Sequence, residues 1–376
     1  MNCPFCWTNN VQTDGERKSA VDFSAQLLRD LTEADGVPGH EEAVTKVMAG
    51  HLKGLAKISY DRLGSLIAEK KGAAAEPRIL VDSHTDEVGF MVREITKNGF
   101  VKFLPLGGWW GHVALGQRMK IITTKGVVPG VVGAKAPHLL KDDERKKVLD
   151  INDMFIDVGA AGKYDIGKKL GIKLGDPIVP DSRFTVMAND QVYLAKAFDN
   201  RAACAVVIDL IKKLQKIKHP NTVYGAGSVQ EEVGLRGANT VAHAVDPDVA
   251  IIVDVGLALD TPGCEDRPEK LGAGPLIFIF DALMLPNTRL RDLAIDVATR
   301  NKIPFNLTYM EKGATDGGRI HLSRYGVPSI VIGPPTRYVH SHNSLLHRKD
   351  YDNTLRLVLE LVKRLDKKTV ASLTMR

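Results

Sequence analysis

The sequence predicts an α/β protein, a sheet flanked by helices and interrupted once by a small β-rich module, and three observations carry that reading. Short apolar runs read as buried strands: Leu66-Ile67-Ala68, Ile79-Leu80-Val81, Val223–Val229, Val249–Val253 and Val327–Ile332. Stretches of helical apolar spacing alternate with them, at Val21–Leu31, Glu41–Leu55, Ala202–Leu214, Thr288–Thr299 and Tyr351–Leu365. Between Gly99 and Ala195 the texture changes. Short β-branched runs at Met119–Thr123, Val127–Val132 and Phe155–Val158 are parted by glycines and prolines, as in a small all-β unit. Alternation of strand and helix puts helices on both faces of a sheet. Residues 15–95 and 196–376 are therefore expected to form one α/β domain, with residues 96–195 inserted into it and residues 1–14 as a loose polar tail.

A chain of 376 residues fits about two domains, and 44% hydrophobic with 26% charged residues is an ordinary globular balance. The formal net charge of +6 raises the question of an anionic partner. The basic residues, however, are interspersed with acids, as in Lys141-Asp142-Asp143-Glu144-Arg145-Lys146-Lys147, and no basic block is interleaved with aromatics. That argues against a nucleic-acid surface. Cys3, Cys6, Cys204 and Cys264 are too few for a disulfide scaffold and fit a reducing compartment. Cys3-Pro4-Phe5-Cys6 has the spacing of half a zinc ribbon, but a closed structural site needs a second pair, so the two read as exposed thiols. Met1 to Asn10 holds no basic segment followed by an apolar run, and no apolar stretch approaches the ~20 residues that span a bilayer. A cytoplasmic protein without a membrane partner is expected.

Five segments place carboxylates or imidazoles together, four of them just past a predicted strand. They are Asp82-Ser83-His84-Thr85-Asp86-Glu87, Asp199-Asn200-Arg201, Gln230-Glu231-Glu232-Val233-Gly234, Asp254 and Arg337-Tyr338-Val339-His340-Ser341. In open α/β sheets, ligands bind outside the carboxyl ends of the strands. Taken singly, each segment has an ordinary explanation: a surface hydrogen bond, a solvated Glu-Glu doublet, an Asp at a helix N-terminus. Taken together they do not, because carboxylates so close would repel unless cations neutralised them. Oxygen donors mixed with imidazole suit zinc, manganese or cobalt.

His84-Thr85-Asp86, Asp199-Asn200-Arg201, Glu231-Glu232-Val233-Gly234, Asp254 and the segment ending in His340-Ser341 resemble, in order, the motifs of the tetrahedral (TET) aminopeptidases, which include glutamyl and deblocking aminopeptidases and some members labelled cellulases. The resemblance runs from about Asp22 to the last helix. It implies a zinc-exopeptidase-like mixed sheet carrying a β-rich dimerisation domain, and an aminopeptidase that acts on peptides with a free N-terminus through two divalent cations, zinc or cobalt. By the same resemblance Asp199 bridges the two metals, His84 and Asp254 complete one site, and Glu232 and His340 complete the other. Glu231 becomes the general base and Asp86 the residue that orients His84. On an extended strand end, Glu231 and Glu232 would point to opposite sides, one to the metal and one to the water. Gly313-Ala314-Thr315-Asp316-Gly317 resembles a further family segment with Ala314 inserted, and Asp316 is given no role.

Related carboxypeptidases and amidohydrolases share this metal core, but they carry their added domain after the later ligands. Here the β-rich module lies between Asp86 and Asp199, which favours the aminopeptidase branch. A non-catalytic binding protein would show a broken ligand set. A serine hydrolase would need a glycine-framed nucleophile elbow, which Ser228 lacks. The resemblance also implies self-assembly, as dimers and a hollow tetrahedral dodecamer. Trp109-Trp110 beside Gly107-Gly108 is expected as an interface anchor, a pocket wall or core.

Overall fold

The computed structural model describes residues 22–264 and 267–374, so Cys3, Cys6 and the expected tail lie outside the described residues. An eight-stranded mixed sheet forms the frame. In sheet order its strands are Lys57–Tyr60, Leu66–Lys70, Thr222–Ser228, Arg78–His84, Val249–Val253, Ser329–Gly333, Leu276–Phe280 and Asn306–Tyr309. The central strand Arg78–His84 runs parallel to both of its neighbours, with His84 opposite Ser228 and Asp82 opposite Ile252. Val249–Val253 is in turn parallel to Ser329–Gly333. Four consecutive strands thus end together, and whatever follows their last residues emerges at one edge.

Both faces of this sheet are covered. Phe23–Glu33, Glu42–Leu52, Phe198–Lys213, Thr288–Arg300 and Arg348–Arg364 pack on one face around Leu28, Met48, Val207, Ile251 and Val358. Arg236–Val245 and Gly317–Ile320 cover the other, around Leu80, Val241, Ile252 and Val331. Strands buried on both faces read as continuous apolar runs, which is why Ile79–Val81 and Val249–Val253 are visible in the sequence. Fit between layers is tight at Gly333, where a Cβ would meet the Asp254 carbonyl at 1.5 Å.

Six strands close a separate barrel, in the order Gly89–Ile95, Phe100–Leu106, Phe155–Asp157, Gly126–Gly133, Arg118–Thr123 and Pro177–Pro180. Its own core is built on Phe90, Phe103, Met119, Ile121, Ile156 and Ile178. The barrel corrects the expected boundaries at residues 96 and 195. Gly89–Ile95 pairs with Phe100–Leu106 and Pro177–Pro180 and so belongs to the barrel. Thr185–Val186 and Val192–Ala195 belong instead to a small sheet, paired through Ser344–His347 to the closing part of the chain. Strand pairing decides these memberships, through Phe100–Leu106 and Pro177–Pro180 for the first and Ser344–His347 for the second, and local texture does not carry them.

Trp109 joins the two bodies. Its indole stacks on Phe90 at 4.7 Å and its Nε1 donates to the Gly89 carbonyl, while its edge meets His342 at 5.4 Å. Trp110 is 62% exposed. His342 is buried, and neither ring nitrogen has a hydrogen-bond partner among the described residues. Burial holds its pKa down at about 4, below the ordinary 6.5. The unfolded chain therefore takes up the proton first, and stability is lost as pH falls from about 6.5 toward 4. The variant His342→Phe lacks this term. Its stability relative to the parent is expected to rise by about 1 kcal/mol per pH unit on going down through that window, read from denaturant midpoints at pH 7 and pH 5. A difference that does not change with pH would contradict the assignment.

Candidate metal centre

The sequence-predicted residues converge at the carboxyl ends of the parallel strands. His84 is the last residue of its strand, Asp254 directly follows Val249–Val253, and Glu231 and Glu232 lie three and four residues past Ser228. Asp199 sits in the first turn of the helix Phe198–Lys213, where its own dihedrals are non-helical (φ −83°, ψ 101°) and the Asp199–Asn200 peptide is cis. His340 follows Pro335–Arg337, in a loop tied down by the two 2.6 Å bonds from Arg337 to Asp260.

Asp199 stands between the two imidazoles. Its Oδ1 is 3.1 Å from His84 Nε2 and its Oδ2 is 3.4 Å from His340 Nε2. His84 Nε2 also lies 3.9 Å from Asp254 Oδ1, and His340 Nε2 lies 3.4 Å from Glu232 Oε1. One ligand atom from each of His84, Asp199 and Asp254 falls within 4.8 Å of the others, and the same holds for Asp199, Glu232 and His340. A third such group joins Glu231 to His84 and Glu232. Two donor sets therefore share Asp199, with Glu231 beside them.

The charges do not balance from protein groups alone. Among the described residues, no lysine or arginine forms an ion pair with Asp199, Glu231, Glu232 or Asp254, whose ionic neighbours are the histidines. Burial and then the Asp199 charge push Glu232 up to about 8. Burial raises Glu231 and Asp254 well above the carboxylate range, with neighbouring carboxylates adding to it. Burial opposes a charge on His84, yet Glu231, Asp199, Asp86 and Asp254 outweigh it and raise the ring's pKa; His340 is raised to about 9 in the same way, by Asp199 and Glu232. Asp199 alone is lowered, since hydrogen bonds from His340 and His84 overcome its burial. A pocket of acids and imidazoles that is short of positive charge fits divalent cations, and the imidazole–carboxylate mixture suits zinc, cobalt or manganese.

One expectation needs correction. Glu231 and Glu232 are not on an extended strand end. The strand stops at Ser228, Gln230 turns left-handed (φ 58°), and the Glu231 carbonyl accepts from Gly234 and Leu235. The doublet is fixed by Asp86, whose Oδ1 and Oδ2 accept the backbone N–H groups of Glu231 and Glu232 at 2.9 and 3.0 Å. As a result Asp86 reaches His84 Nδ1 more closely through its own carbonyl, at 3.1 Å, than through its carboxylate, at 3.6 Å. With Nδ1 held by that carbonyl, Nε2 is left facing Asp199 and Asp254.

The structure adds supports that the sequence reading missed. Arg201 is fully buried and donates to the carbonyls of Thr85, Leu31, Ala34 and Gly36, while Glu87 receives both Arg201 and the buried Lys196. Charged Lys196 and Arg201 beside apolar helix residues were the available signal, because a charge there must be paired. Behind His84, Ser228 bonds Asp316, and Asp82 lies against both. Left-handed φ values at Ala197, Gln230, Tyr338 and His340 flank or include the ligand set, a clustering of strained backbone that marks functional sites.

Comparison with known proteins identifies the family. The family described as M42 glutamyl aminopeptidase matches residues 64–357. A TET aminopeptidase from the marine sediment archaeon Thaumarchaeota archaeon SCGC AB-539-E09 superposes with a TM-score of 0.91 at 47% identity, over 94% of this chain and 100% of that one. The TET1 peptidase of Pyrococcus horikoshii, which can assemble into a tetrahedron or a large octahedral shell, superposes with a TM-score of 0.81 at 30% identity, over 91% and 100%. The glutamyl aminopeptidase of Lactococcus lactis subsp. cremoris (strain MG1363) is 34% identical over 352 residues, 92% of this chain and 98% of its own length. With a family match over most of the chain and relatives matched end to end, this chain belongs to the M42 glutamyl aminopeptidase family and is a peptidase, a hydrolase of peptide bonds.

Proposed function

We propose that this protein removes N-terminal residues from peptides at a centre of two divalent cations, with Glu231 as the general base. The observation that carries the proposal is Asp199, which offers one carboxylate oxygen to each of two donor sets. His84 and Asp254 would hold one cation with it, and Glu232 and His340 the other. When bound, zinc or cobalt would supply Lewis-acid polarisation of the scissile carbonyl and acidify the attacking water.

The remaining work falls to the chain. Glu231 is buried, its backbone N–H is held by Asp86, and its carboxylate lies beside His84 and Glu232. It would take the proton of the attacking water and deliver it to the leaving amine, within hydrogen-bond reach of ~3 Å. Asp86 keeps Glu231 beside Glu232 and keeps the His84 ring turned with Nε2 inward.

Self-assembly is part of the same proposal. It is supported by the shell-forming Pyrococcus horikoshii relative, by the separately closed barrel and by exposed Trp110, Val127 and Leu139 on the barrel and its loops. Among the described residues, no helix is long and apolar enough to cross a membrane.

Three outcomes are expected. Glu231→Gln retains its metal and its thermal midpoint but loses about 10²–10⁴ in kcat on an aminoacyl fluorogenic substrate, with the N-acetylated substrate inert in both proteins; near-normal turnover would remove Glu231 from the base role. Asp199→Ala lowers bound metal at both positions, measured by elemental analysis after dialysis, and two retained equivalents would contradict the shared ligand. In light scattering at micromolar concentration the mass is a multiple of the 41.1 kDa chain, and a monomer would count against assembly.

A further inference from the structure

Three consecutive backbone N–H groups present the glutamate doublet, and each is taken by a carboxylate. Asp86 holds those of Glu231 and Glu232 from the side of the centre. The preceding one, from Gln230, is held by Glu41 Oε1 at 3.0 Å. Glu41 sits 189 residues away in sequence, at the start of the helix Glu42–Leu52. The ordinary use of an acid there is to cap its own helix. Its side chain makes no capping bond, however, and its backbone carbonyl alone accepts from Val44 and Thr45. The same Oε1 instead takes the N–H of Gly39 at 2.8 Å, which bends the side chain toward Gln230.

The loop bearing Glu41 is itself anchored to the centre's other supports. Gly36 accepts from Arg201 and from the Glu87 backbone N–H, and it returns its own N–H to Glu87 Oε1 at 3.2 Å. Residues 36–41 therefore run from the Arg201–Glu87 pair to the Gln230 turn. Burying a carboxylate here, with Asp86 close by, is unfavourable, and helix capping would not require it.

We infer that Glu41 is a positioning residue for the reaction: its Oε1, by holding Gly39 and Gln230 together, fixes the left-handed turn that aims Glu231 and Glu232. This inference rests on the reading of Glu231 as base, but its mechanics can be tested apart from it. Both bonds end on one oxygen, so an amide oxygen can replace the carboxylate while an apolar side chain of similar length cannot. In the full chain with its metal content measured, Glu41→Met is expected to lower kcat about 10–100-fold with KM within about threefold, as a small misplacement of a catalytic group does. Glu41→Gln should stay within about threefold of the parent in both. Amide hydrogen exchange over residues 229–235 should quicken in Glu41→Met and remain at the parent rate in Glu41→Gln, an observation independent of turnover. Parent-like kcat and exchange in Glu41→Met would overturn the inference, as would Glu41→Gln behaving like Glu41→Met. If Glu41→Met is unfolded at the assay temperature, Glu41→Gln decides alone: more than a tenfold loss of kcat, or quickened exchange, overturns the assignment, and retention of both supports it. Failure of the base reading would show separately, as turnover retained in Glu231→Gln while these exchange differences persist.

Discussion

Four acids meet at the strand ends with only two imidazoles to answer them, and most of the local architecture follows from keeping them there. Glu231 and Asp254 are buried and Asp199 and Glu232 partly so, between the sheet below and the barrel loop above, where Gly107 and Gly108 lie against Glu232 and His340. Uncompensated carboxylates in such a place repel one another and favour protonation. In the proposed centre, a cation shared through Asp199 would reverse that balance and would also supply the Lewis acid of the reaction. The surrounding positive groups stand one layer out. Lys196 and Arg201 pair with Glu87 and Asp35 and with main-chain carbonyls, not with the inner acids.

The parallel register does the placing. With His84 opposite Ser228 and Ile252 opposite Asp82, the residues following each strand arrive at one level without long loops. Where a loop is needed, backbone torsion supplies the direction, as at Gln230 and His340 with φ near 58°. Tight layer contact closes the arrangement, since Gly333 leaves the Asp254 carbonyl no room for a side chain.

Much of this could be read from the sequence. Apolar runs that end in Asp or His-x-Asp are visible because a strand buried on both faces has no polar interruption until it leaves the sheet, and His84, Asp199, Glu232, Asp254 and His340 do meet. The illegible parts share one cause: their partners lie far away or are main-chain atoms. Gly89–Ile95 has no local mark separating a barrel strand from a sheet strand. Arg201 spends its donors largely on carbonyls at Leu31, Ala34, Gly36 and Thr85, which no side-chain pattern announces. Likewise, Glu41 looks like a helix start until its carboxylate is seen on Gln230.

The barrel interrupts the chain after His84 and Asp86 and before Asp199, and the small sheet through Ser344–His347 brings the last ligand loop back beside residues 192–195. During synthesis, then, the ribosome releases the earliest ligand long before the latest. All six barrel strands precede Asp199 in the chain, so the barrel has emerged while His84 still waits for partners from each later segment. Until His340 has emerged and the following strand, Ser344–His347, has paired, only one of the two donor sets is whole. In the proposed two-cation centre, hydrolytic competence would thereby wait for nearly finished translation, a built-in delay for a peptidase made of the same polymer that it cleaves.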